Sequence, residues 1–246
     1  MERDDAASLG LLWDAPLTAG ESVQLAASAL RHALVRRVRT GDVVRLLDGC
    51  GRVGYGMVAE ASGKSVRVDV ARVEHVPRPV GLELLVPVAD RDRMLWAAEK
   101  CVEHQVTAWR PVVFARSRSV SPRGEGPRFA ERVRARMASA LEQCGGAWLP
   151  DLHDESDFAS ALRGVRAGSA GIVLDASGPP IADAATRGPV ALAVGPEGGF
   201  EPREAEAARA AGWITASLGA TILRFETAIV SGAAVVRALQ LSTRRA

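Results

Sequence analysis

Two short glycine-bearing loops toward the end of the chain hold the residues best suited to chemistry. The first is Gly195, Pro196, Glu197, Gly198 and Gly199, placed directly after the apolar run VALAV at 190–194. The second runs from Leu218 through Gly219, Ala220, Thr221, Ile222 and Leu223 to Arg224, after a shorter run at 214–217. Glycine lets the main chain approach a ligand closely, and free N–H and C=O groups at loop ends can bond the edges of a heterocycle. Neither loop reads GxGxxG, and neither carries the Lys-Ser/Thr pair that cradles phosphates, so wrapping a heterocycle is the chemistry they suit. Spacing alone also allows two ordinary turns of an α/β domain.

The elements that must hold these loops can be read around them. Glu201 before Pro202 marks a helix start. Proline fills a position whose N–H needs no partner, and carboxylates complement the positive end of the helix dipole. That helix is expected to run through Ala211 and to stop at Gly212, a residue type that takes positive φ readily. A strand over 214–217 leads into the second loop, and a last helix is expected from near Glu226 and Thr227 to Leu239.

Upstream, residues 23–70 read as a small β-rich domain. A helix is expected over 26–38, then strands over 43–47, 53–60 and 66–73 with turns at Asp48-Gly49 and Ser62-Gly63, giving an antiparallel meander or small barrel. Gly49, Gly51 and Gly54 form a literal GxGxxG, but strand-like sequence follows, so no helix N-terminus is available for phosphate. Gly63-Lys64-Ser65 ends like a phosphate loop but has Val58 where the leading glycine belongs. Pro77 and Pro79 mark a boundary. Beyond it, strands at 80–88, 112–113 and 172–175 alternate with helices at 92–103 and 129–143, which predicts a parallel sheet with helices on both faces.

Composition narrows the class. Hydrophobic residues make up 48% of the chain, yet no apolar run nears the ~20 residues of a membrane span. The acidic start, Met1 to Asp5, lacks the apolar segment of a signal peptide, and Cys50, Cys101 and Cys144 show no CxxC spacing. A cytoplasmic, soluble protein is expected. The net charge is only +2, but residues 110–136 hold eight arginines against Glu125 and Glu131. Such a cluster either binds phosphates in register or is a solvated helix face. Residues 151–246 are slightly acidic, so any RNA footprint is expected before them.

GPEGGF at 195–200 followed by SLGATILRFETA at 217–228 resembles the cofactor-binding signature of the SPOUT methyltransferases. More narrowly, it resembles the RsmE family, which methylates N3 of a uridine in small-subunit ribosomal RNA. His32, the basic run Val35-Arg36-Arg37-Val38-Arg39 and Gly41-Asp42 are similar to the same family's N-terminal domain. The resemblance implies an α/β fold in two parts: a PUA-like, RNA-binding β-barrel over residues 1–76 and a SPOUT α/β domain over 77–246. It implies a deep trefoil knot at about 190–230, a rare exception to unknotted chains. It further implies a homodimer that binds S-adenosylmethionine and small-subunit ribosomal RNA, without a metal. On this basis the donor contacts are expected at Leu174, Gly195, Pro196, Glu197, Gly198, Gly199, Leu218, Gly219, Ile222, Leu223 and Thr227. RNA contacts are expected at His32, Arg36, Arg37, Arg116, Arg118 and Phe225.

The implied acceptor nitrogen carries a proton, so catalysis needs a base, or cations that stabilise the anion. Arg224 is expected to contact the nucleotide or the developing charge. Glu226 is either a base or a cap for the last helix, and Glu197 faces the donor, faces the substrate or braces its own loop. Three positions depart from the family pattern: Gln105 for glycine, Gly146 for arginine and Phe225 for threonine. Gln105 costs ~1 kcal/mol if that helix stop needs positive φ. Gly146 removes an RNA or substrate contact, and Phe225 can stack on a flipped uracil. These departures keep two rivals open: the same fold acting on another base, and an RNA-binding protein without catalysis.

Overall fold

The computed structural model describes residues 9–117, 122–184 and 186–242. The chain forms two compact units, Met1–Arg78 with Ala138–Leu149, and Pro79–Met137 with Pro150–Ala246.

The first unit contains β1 (Leu9–Leu12), β2 (Ser22–Gln24), α1 (Ala27–Val35), β3 (Val43–Leu47), β4 (Arg52–Ser62) and β5 (Ser65–His75). The strands line up as β1-β3-β4-β5-β2, with β1 parallel to β3 and the other pairs antiparallel. The alternation along β3, β4 and β5 buries Val44, Leu46, Val58, Val66 and Val68 in one core. The glycine-rich turn between β3 and β4 is pinned by the Asp48 carboxylate, which accepts from the N–H groups of Cys50 and Arg52. It is a hairpin turn, as the strand after it requires.

The expected meander lacked two strands, β1 and β2. Among the described residues no pairing joins β1 to β2, so no closed barrel is found. The free edge of β1 is occupied by another element. Leu12 N–H donates to Glu142 Oε1 (2.8 Å), and a Cβ on Gly10 would stand 2.6 Å from the Glu142 carbonyl oxygen. Covering an edge this way blocks further strand addition. α1 is also shorter than expected, ending at Val35, with Arg37 at φ 56° in the turn after it.

The second unit contains β6 (Leu82–Pro87), α2 (Arg91–Glu103), β7 (Ala108–Val113), β8 (Asp151–Leu152), β9 (Ser156–Asp157), α4 (Phe158–Gly164), β10 (Ala170–Leu174), α5 (Ile181–Ala184), β11 (Val190–Val194), α6 (Pro202–Ala210), β12 (Ile214–Ala216) and α7 (Phe225–Leu241). The intervening α3 (Pro127–Cys144) gives its first residues to this unit and its last to the first unit. Its strands form an all-parallel sheet in the order β12-β10-β11-β6-β7-β8, with β9 also pairing β7. β6 and β11 are buried along their whole lengths, the pattern of central strands covered on both faces. The mixed α/β fold with a parallel sheet is therefore the one the alternation predicts. The short elements β8, β9, α4 and α5 left too little periodicity in the sequence to be foreseen.

Positive φ is required where Gln105 replaces the family's glycine. Gln105 sits at φ 55° just past α2, and its N–H closes on Val102 O (2.9 Å). Gln105→Gly is expected to stabilise the protein by about 1 kcal/mol, raising the melting temperature by roughly 2–4 °C in a thermal melt.

Candidate functional site

Both glycine loops leave the C-terminal ends of parallel strands, the edge where open α/β sheets place ligands. The first loop follows β11 and ends on Phe200. That ring packs against Phe114 and Phe158, with centroids 5.3 and 5.6 Å away, and so anchors the loop on the sheet. The turn itself needs Gly199 at φ 69°. Beyond it, Glu204 fixes the start of α6: one carboxylate oxygen accepts from Glu201 N–H (2.8 Å), the other from Ala115 N–H (2.9 Å). Gly198 lies against Arg116, whose guanidinium donates to Gly198 O (3.2 Å). Pro202 and Gly212 bracket α6 as the sequence requires, with Gly212 at φ 78°.

The two loops enclose a cavity of about 410 Å³. Gly195, Pro196, Glu197, Gly198 and Gly199 line one side of it. Leu218, Gly219, Ile222 and Leu223 line another, and Leu174 at the end of β10 also reaches it. Thr227 does not line it and is exposed on the first turn of α7. Sequence reasoning missed Asp175, Phe200 and Thr221, which line the cavity too. Asp175 had a signal, an acid at the end of a strand. The Ser177 hydroxyl (2.6 Å) and N–H (2.9 Å) bond its Oδ1 and hold the carboxyl below the usual range. An ionised carboxylate, glycine backbone and apolar walls suit a heterocycle carrying hydroxyl or ammonium groups, at a volume typical of small-molecule sites.

The remaining expected site residues are dispersed. Arg224 is exposed at the cap position of α7, and its side chain makes no capping bond. Glu226 stands in the first turn of α7, where a carboxylate complements the positive end of the helix dipole; its side chain accepts no hydrogen bond among the described residues, and Arg93 Nε lies 3.8 Å from its Oε1. Glu197 is exposed at the cavity and makes no bond to its own loop among the described residues. Phe225 is only 3% exposed and lines the cavity, so it is no open platform for a flipped base; as the first residue of a helix on the sheet, its ring turns inward.

His32 belongs to the first unit's packing, with Nδ1 2.7 Å from Glu142 Oε2 and Nε2 facing Arg36 Nε at 3.4 Å. Arg36 and Arg37 are exposed. Arg118 lies outside the described residues. The arginine-rich stretch is not one free basic face. Arg110 is paired, half-buried, with Glu83 (2.9 Å), Arg116 donates to Gly198 O, and Arg123 and Arg136 pair with Glu125 and Glu99. Arg128, Arg132 and Arg134 remain exposed on α3. Where Gly146 replaces the family's arginine, a guanidinium still stands nearby: that of Arg45 comes within 3.0 Å of the point a Cβ on Gly145 would occupy.

This cavity between two loops of a parallel sheet defines a class. The RNA methyltransferase domain family matches residues 76–237 of the chain. Among curated relatives, ribosomal RNA small subunit methyltransferase E of Mycobacterium bovis is 32% identical over 206 residues, spanning 80% of this chain and 78% of the relative. The protein of the same name from Synechocystis is 26% identical over 223 residues, spanning 86% and 72%. The crystal structure of ribosomal RNA small subunit methyltransferase E from Neisseria gonorrhoeae, bound to S-adenosyl methionine, is 25% identical, with a TM-score of 0.85 over 94% of this chain and 98% of that one. The chain belongs to the ribosomal RNA small subunit methyltransferase E family of RNA methyltransferases. Among the described residues, no helix is long and apolar enough to cross a membrane and no side-chain cluster is fit to hold a metal.

Proposed function

We propose that this protein transfers the methyl group of S-adenosylmethionine to N3 of a uridine in 16S ribosomal RNA. The observation that carries the reading is the cavity built by 195–199 and 218–223 in a chain of this family. The donor, when bound, supplies an electrophilic methyl on a sulfonium. The residues present fit it. Glycine backbone at 195, 198 and 199 can approach the heterocycle, Leu174, Leu218 and Leu223 can cover its faces, and the Asp175 carboxylate can accept from its hydroxyl or ammonium groups. Arg224, exposed between the cavity-lining Leu223 and Phe225, would meet negative charge arising on the acceptor's carbonyl oxygens.

The same reading assigns residues 1–76 to a PUA-like RNA-binding domain and 77–246 to the SPOUT domain, with Arg36 and Arg37 among the RNA contacts and the cytoplasm as the compartment. It also includes the trefoil knot. Support comes from chain order: β11 lies between β10 and β6, β12 returns to the far side of β10, and α7 then doubles back to pack on β11, β6 and α2. A homodimer is part of the reading, supported by Trp96 on α2 and Leu241 on α7, which are 45% and 52% exposed on helices that pack together.

Titration calorimetry with S-adenosylmethionine tests the donor site. Saturable binding of one donor per chain is expected; no heat at millimolar donor would remove the catalytic reading and leave an RNA-binding protein.

A further inference from the structure

The first turn of α7 holds a carboxylate with one oxygen that the fold leaves unbonded among the described residues. Glu226 has a side chain only 14% exposed, and its Oε2 is buried without a hydrogen-bond partner among the described residues. A buried acceptor left unbonded costs free energy, so its retention needs a reason. Phe225 before it and Ala228 two residues further on line the cavity between the glycine loops, while Glu226 itself stands behind that lining. The cation within 4 Å is Arg93, from α2, whose guanidinium approaches Oε1 rather than Oε2. Arg224, on the same helix, is the other cation at this end and points no bond at Glu226 among the described residues. One oxygen thus faces a positive group from a neighbouring helix, and the other has no donor among the described residues.

The acceptor named above has such a donor, since a uracil N3 carries hydrogen. We infer that Glu226 is the proton acceptor for the N3–H of the target uridine and that Arg93 is the residue that positions it, an inference resting on the function proposed above. The step balances. The N3–H bond breaks with its electron pair left on nitrogen, that pair forms the N3–CH3 bond, and the S–CH3 bond breaks with its pair passing to sulfur. The donor leaves as a neutral thioether, and the proton passes to Glu226 and then to solvent. Arg93 is absent from every motif read in the sequence. It lies 133 residues upstream, and only the packing of α2 on α7 brings it here.

The test uses the full-length protein, small-subunit RNA and S-adenosylmethionine, with 3-methyluridine measured by mass spectrometry across pH and donor affinity by calorimetry. Glu226→Gln is expected to lower kcat by about a hundredfold or more while leaving donor affinity nearly unchanged. Its residual rate should climb by about tenfold per pH unit as solvent hydroxide takes over removal of the N3 proton, whereas the unmodified protein should lack that climb. Arg93→Ala should lower kcat by about tenfold, with Arg93→Lys recovering most of the loss. A Glu226→Gln profile of the same shape as the parent's, or equal losses of kcat, donor affinity and melting temperature in the Glu226 and Arg93 variants, would make the pair a structural brace and overturn the inference. Parent protein that makes no 3-methyluridine would instead overturn the functional reading on which it rests.

Discussion

Replacing Gly198 with aspartate is expected to abolish binding of S-adenosylmethionine. A Cβ at this position would stand 3.1 Å from Arg116 Cβ and 3.2 Å from the Arg116 carbonyl oxygen. The second contact is with backbone, which cannot swing aside as a long side chain can. The 195–199 loop must therefore move, and it is the loop that lines the cavity. The shift also opens the bond from the Arg116 guanidinium to Gly198 O, and the new carboxylate adds charge beside Glu197. A loss of at least about a hundredfold in donor affinity is expected, on the order of 3 kcal/mol. Calorimetry on the variant reads it, with a melting temperature near the parent's showing that the fold survives. Affinity within a few-fold of the parent's would mean that the loop does not hold the donor.

The largest expected effect on stability comes from Arg237. Its guanidinium is buried in the second unit and donates to Val80 O (3.0 Å), His104 O (3.2 Å), Gln105 O (2.5 Å) and Gln240 Oε1 (2.7 Å). Two of these acceptors lie just past the C-terminus of α2, where unpaired carbonyls and the negative end of the dipole favour a cation. Gln240 extends the clasp to Gly81 O and Gly188 O. Burial pulls the Arg237 pKa down to about 10, so the group is still charged at neutral pH. Arg237→Met keeps aliphatic volume and removes every one of these bonds. Several part-buried carbonyls then lose a charged donor at once, at a cost of about 3 kcal/mol. A fall of roughly 6–12 °C in melting temperature should follow for a fold of this size. A fall of less than about 2 °C would show that water satisfies the same carbonyls.

What could be read from the sequence, and what could not, divides by range. The ends of α6 were legible because Pro202 and Gly212 act through local backbone geometry. Both glycine loops were legible for the same reason, and ten of the eleven expected donor contacts line one cavity. Thr227 was not separable from them: its motif is continuous, but helical geometry turns it to solvent while Phe225 faces inward. β1 was missed because it is held by a parallel partner and by the end of α3, neither of which leaves a turn signal nearby. The arginine cluster misled for a related reason. Composition counts charges, but only the fold shows that Arg110 is spent on Glu83 and Arg116 on Gly198. For Glu226 the sequence could show an acid in the first turn of α7, but only the fold could show Arg93 beside it.

Methyl transfer itself is the most direct test. Purified protein would be incubated with S-adenosylmethionine labelled in the methyl group and small-subunit RNA lacking this modification, and the RNA digested to nucleosides for mass spectrometry. Label in 3-methyluridine, absent when the Gly198→Asp variant is used, is the predicted result. Label in any other nucleoside, or none at all from protein that binds the donor, would contradict it.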